Sequence, residues 1–74
     1  MHIIIQRRDG FIQDYIVNPE SKVFTFLLNL ANDIGIFPGR IILMYVGKIL
    51  KMDETFLEQY VEENAIIEMI ITIR

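Results

Sequence analysis

The chain has 74 residues, a net charge of −3 and no cysteine, which makes it one small domain with neither a disulfide nor a thiolate metal site. Its basic residues cluster only at Arg7 and Arg8, so it lacks the positive field that non-specific nucleic-acid binding needs, and no apolar run approaches the ~20 residues of a membrane span. Hydrophobic residues make up 53% of the chain, fifteen of them Ile, more than a domain that buries about 60% of its unfolded surface can hide.

The first predicted strand is Met1–Arg7, rich in β-branched residues, with Ile3 and Ile5 on one face. This start is too short for a signal peptide and carries its charges on the wrong side. Asp9-Gly10 is a hairpin turn, because Gly accepts the positive φ that tight turns need. The second strand is Phe11–Val17, ended by Asn18-Pro19. A helix follows over Lys22–Ile34, with Ser21 as the expected N-cap and Val23, Phe26, Leu27, Leu30 and Ile34 on one stripe. Gly35 closes it in the left-handed region, and Phe37-Pro38-Gly39 forbids its continuation. The third strand is Arg40–Val46, turned by Gly47-Lys48 into a short strand at Ile49-Leu50. Thr55–Tyr60 reads as a short helical turn, and Asn64 as a loop. The last strand, Ala65–Ile73, is almost wholly apolar and belongs in the middle of the sheet, beside the first. The expected core is Ile3, Ile5, Val17, Val23, Phe26, Leu30, Leu43, Leu50, Ile67 and Met69.

This order, with its fixed positions, resembles ubiquitin over the whole of residues 1–74. Met1-x-Ile3 opens the match. Gly10 lies at the hairpin turn, Pro19 after the second strand, and Gly35-Ile36-x-Pro38 after the helix. Leu43 followed by Gly47-Lys48-x-Leu50 is similar to the family's Gly-Lys-x-Leu turn, and Thr55 opens the short turn. The resemblance implies an α+β fold of the ubiquitin-like β-grasp class: ββαββ, a mixed sheet packed on one helix. Two departures bear on the local structure. Gln59 stands where ubiquitin has a loop tyrosine, with Tyr60 one later, so that turn is expected to shift. Gln13 replaces an apolar strand residue.

Catalytic sets are missing. Gly35-Ile36-Phe37-Pro38-Gly39 opens no helix and is no phosphate loop. Glu58, Glu62 and Glu63 read as a solvated surface, Ser21 has no histidine base near it, and His2 alone builds neither a metal site nor a triad. No enzyme activity, metal or cofactor is expected. Absence of cysteine fits the cytoplasm or nucleus.

A binding surface is expected instead. Side chains alternate, so the neighbours of buried Leu43 and Met69 point outward: Ile42, Met44, Ile70 and Thr72. In the resemblance, Met44 and Ile70 match the isoleucine and valine of the ubiquitin patch. Ile42 and Ile49 replace an arginine and a glutamine, Glu68 a histidine, and Arg8 the leucine of the hairpin tip. The partner-binding set is therefore Ile42, Met44, Gly47, Lys48, Ile49, Glu68, Ile70 and Thr72. It would take a ubiquitin-binding-type module or a diverged partner, because changed rim charges alter partner choice. Phe24 and Leu28, off the main stripe, and Ile4 form a secondary surface. So broad an apolar surface also makes weak self-association an expectation.

Two uses follow from the resemblance. The favoured one is a non-conjugated interaction domain, free-standing or part of a longer protein. The alternative is a modifier attached to lysines through a C-terminal Gly-Gly beyond Arg74. A modifier's tail must be slim, and Thr72 replaces the arginine that the activating enzyme recognises. Lys48 matches the chain-forming lysine and is the one candidate acceptor; as a polar turn residue it has a simpler explanation.

Overall fold

The computed structural model describes residues 1–73; Arg74 lies outside them. The elements are β1 (His2–Gln6), β2 (Ile12–Ile16), α1 (Val23–Ile34), a 3-10 turn (Pro38–Arg40), β3 (Ile41–Tyr45), β4 (Lys48–Ile49) and β5 (Ala65–Ile71). They form an α+β fold: one mixed five-stranded sheet, ordered β2-β1-β5-β3-β4, with a single helix. β5 is central, parallel to β1 and antiparallel to β3. No helix among the described residues is long and apolar enough to cross a membrane.

All ten residues of the expected core are buried. The core also takes in Leu27, Ala31, Ile41, Phe56, Val61 and Ala65. Phe56, wholly buried, meets the Phe26 ring edge-on at 5.9 Å, and Phe26 meets Tyr15 at 5.2 Å, so an aromatic row joins β2, α1 and the loop before β5. Ile34, on the expected stripe, is half-buried.

Several boundaries differ from the predicted ones. Four of the five strands are shorter, although pairing runs past the end of β2: the Val17 amide donates to the Met1 carbonyl and the Met1 ammonium to the Val17 carbonyl, both at 2.8 Å. Ile73 lies beyond β5 and is 94% exposed. The helix starts at Val23, with Lys22 at the N-cap position and no side-chain cap. Ser21 is not needed, because two of the helix's first amides are taken by tertiary partners. Val23 N–H donates to Glu54 O at 2.9 Å and Phe24 N–H to Met52 O at 3.0 Å. Gly35 closes the helix as expected, at φ 71°, its amide bonded to Ala31 O.

The β3–β4 turn is Val46-Gly47, not Gly47-Lys48. Tyr45 pairs with Lys48 across it, and both turn residues have positive φ, 52° and 76°. Positive φ at both central residues is what a type I′ hairpin turn requires, and here it puts a β-branched residue in the left-handed region. β4 is consequently Lys48–Ile49. Leu50 follows it, 4% exposed, with its amide on Leu43 O at 2.8 Å.

The Thr55–Tyr60 segment is a capped turn, too short to count as a helix. Thr55 Oγ1 accepts from Glu58 N–H, and Glu58 Oε1 accepts from Thr55 N–H, both at 2.9 Å. The expected shift here resolves in favour of Gln59. Its side-chain amide accepts from Lys51 N–H at 2.7 Å and donates to Lys51 O at 2.8 Å, while Tyr60 is 86% exposed at φ 59°.

Candidate protein-interaction face

The sheet has one face on the helix and core and one open to solvent, and register decides which residues meet on the open face. Ile42 pairs with Ile70 across β3–β5, Met44 with Glu68, and Met44 with Ile49 across β3–β4. Directly opposed residues share a face with their Cβ atoms about 5 Å apart. Ile42, Met44, Ile49, Glu68 and Ile70 are thus one contiguous group on the side away from buried Leu43 and Met69. Ile49 is 63% exposed, whereas Ile42, Met44 and Ile70 are half-buried. A groove of about 610 Å³ opens beside Ile70, bordered by Arg8, Asp9 and Ile36.

Ile4 lies on the same face, linked through its β5 partner Ile66, which is 58% exposed. Ile66 completes the set that alternation assigns outward along β5, yet it was not among the expected site residues. The parity that turns Glu68 and Ile70 outward is the signal that finds it. Val46, 79% exposed, shares a surface pocket with Met44, Gly47 and Ile66. The apolar face therefore spreads from β4 to β1.

One acidic side chain interrupts it. Glu68 receives the Arg8 guanidinium at 3.7 Å, with the Arg8 side chain 91% exposed. So open a pair adds little stability; it puts adjacent opposite charges on an otherwise apolar surface. Arg7 does not join it. Its guanidinium holds the Asp9 carboxylate and stacks 5.8 Å over the Phe11 ring at the hairpin tip. That guanidinium, first, and the Phe11 amide, second, lower the Asp9 pKa.

Other expected residues fall elsewhere. Lys48 is opposite Tyr45 and alternates with Ile49, so its side chain leaves from the other face of β4. It borders a pocket of about 580 Å³ at the β4 edge, which Tyr45, Ile49, Glu54, Glu58 and Gln59 also line. Gly47 belongs to the hairpin. Thr72 follows β5 and is tied to the loop before β3: its amide donates to Arg40 O at 2.7 Å, and Arg40 Nε donates to Thr72 O at 2.8 Å. Phe24 and Leu28, 47% and 44% exposed, stay on the outer side of the helix.

His2 sits at the β2 side of the open face. Its Nδ1 meets Asn64 Oδ1 at 2.8 Å, and its Nε2 lies 3.3 Å from Asp14 Oδ2. The Asn64 bond foremost raises its pKa; desolvation, the next largest effect, opposes it, and Asp14 and Glu63 add to the rise. Glu63 is held by the His2 amide, both carboxylate oxygens at 3.2 Å. No group of acidic and histidine side chains suited to a metal ion occurs among the described residues. No protein-family model and no curated protein matches the chain.

Proposed function

We propose that the chain is a ubiquitin-like β-grasp domain that works by non-catalytic protein binding. Partners dock on the open face of its sheet through Ile42, Met44, Ile49 and Ile70. The observation that carries the reading is the register that collects these four apolar side chains, with Ile4 and Ile66 beside them, on the face away from the helix. A contiguous apolar patch of this kind on a small domain is costly to leave in water and marks an interaction site. Arg8 and Glu68 supply a polar rim that orients the partner and excludes mismatched ones. The partner is a protein element with an apolar ridge, of the kind ubiquitin-binding modules present.

The test is a chemical-shift titration of the nitrogen-15-labelled chain with isolated ubiquitin-binding modules. Shifts concentrated on Ile42, Met44, Ile49 and Ile70 support the reading. Binding that maps to Phe24 and Leu28 would move the site to the helix and overturn it.

A further inference from the structure

The sheet has two edges, and they are unequal. β4 is two residues long, whereas β2 is five residues long and has β1 on one side only. Which of its backbone groups point outward follows from the hydrogen-bond parity. Val17 and Met1 exchange both of their bonds, and Arg7 N–H donates to Phe11 O at 2.8 Å. Antiparallel pairs alternate between bonded and non-bonded, so Tyr15 and Gln13 face β1, and the amides and carbonyls of Ile12, Asp14 and Ile16 face away from it. The Asp14 carbonyl has a long bond, 3.4 Å, from the Gln13 side chain; no contact among the described residues takes the Ile12 or Ile16 backbone.

The same three residues turn their side chains to the open face. Ile12 is 62% exposed and Ile16 79%, with the Asp14 side chain between them 63% exposed. The edge thus presents three residues' worth of unused backbone groups and an apolar–acidic–apolar row. Natural edges are blunted by charged side chains, proline or bulges; along Ile12–Ile16 the one such device is the Asp14 carboxylate.

That carboxylate selects the occupant. A second copy pairing isologously in full register would set Ile12 against Ile16 of the partner, and Asp14 against its own twin. Like charges directly opposed on a sheet are destabilising. A strand with a cation at that position reverses the sign. We propose that the β2 edge is a second binding site that adds an extended, cationic partner strand. That strand has a Lys or Arg across from Asp14 and apolar residues two positions to either side, across from Ile12 and Ile16. Backbone bonds supply affinity, and the alternating side chains supply specificity. The His2 ring, 3.3 Å from Asp14, lies on the β1 side and leaves the outward side of the carboxylate open.

The probe is a capped seven-residue peptide, Thr and Val alternating about a central Lys, with a twin carrying Glu at the centre. Titrated into the labelled full chain, the Lys peptide should shift the amides of Ile12, Asp14 and Ile16 and slow their hydrogen exchange. It should bind about tenfold tighter than the Glu twin. Asp14→Asn, an exposed change, should erase that preference while leaving the fold intact. Met44→Ala should leave peptide binding unchanged, which separates this site from the open-face reading. Four results would overturn the proposal: equal binding of the two peptides, shifts centred on Met44 and Ile70, no β2 shifts at millimolar peptide, or concentration-dependent β2 shifts without peptide.

Discussion

Gln59 pins the loop that closes the core, and its removal can be given a size. Its side-chain amide makes two bonds of ordinary length to the Lys51 backbone, 2.7 and 2.8 Å, and a long one of 3.4 Å to Thr55 O. A neutral hydrogen bond contributes about 1 kcal/mol net. Water can reach exposed Lys51 once the side chain is gone, so the low end of the range applies. Gln59→Ala should therefore cost about 1–2 kcal/mol, against a total of roughly 4–11 kcal/mol for a domain of this length. The melting temperature should fall by about 5–10 °C, and the Lys51 amide should lose protection from hydrogen exchange. Tyr60→Ala is the control, expected to change stability by less than about 0.5 kcal/mol because the ring is 86% exposed. A Gln59→Ala variant as stable as the wild type, or a larger loss from Tyr60→Ala, would refute the assignment of this role to Gln59.

Three further outcomes follow from the same geometry. Val46→Asn places a residue that tolerates positive φ in the β3–β4 turn and makes an Asn-Gly pair. Val46 is 79% exposed and its loss gives up little burial, so denaturant melts should register a gain of about 1 kcal/mol. Phe56→Ala empties a wholly buried site and should cost about 3–5 kcal/mol, enough to leave the domain partly unfolded by circular dichroism at ambient temperature. His2 and Asp9 shape the pH dependence in opposite directions. The raised His2 pKa gives a contribution that is present below about 6.5 and lost as pH rises through the folded value. The lowered Asp9 pKa gives one that is present above the ordinary carboxylate range and lost as pH falls through the folded value. In an NMR titration, Asn64→Ala should bring His2 back toward its ordinary pKa; an unmoved midpoint would exclude the Asn64 bond as the cause.

The sequence was most legible where residues repeat with a period. Helical spacing from Val23 to Leu30 and alternation along β3 and β5 identified the buried residues and, by complement, Ile42, Met44 and Ile70 on the other face. It was least legible where tertiary partners override local preference. Ser21 looked like a cap, but the helix amides went to Glu54 and Met52 carbonyls. Val46 is a poor turn residue by propensity, and register put it in the turn. Phe56 and Val61 are core residues in a segment with no period, so no pattern marks them as buried. Gln59 pins its loop through two amide bonds to the Lys51 backbone, which composition alone does not reveal. Lys48 was expected in the turn and lies in β4 instead, where strand alternation turns its side chain to the face opposite that of Ile49.

The proposed binding of protein at the open sheet face stands or falls with Met44 and Ile70. Affinity for a single ubiquitin-binding module would be measured for the wild type, for Met44→Ala with Ile70→Ala, and for Phe24→Ala with Leu28→Ala, each checked by thermal melt. The Met44 and Ile70 pair should lose tenfold or more in affinity, since two anchors of about 1 kcal/mol or more each are removed, while the Phe24 and Leu28 pair should bind like the wild type. Unchanged affinity in the folded Met44 and Ile70 variant would contradict it.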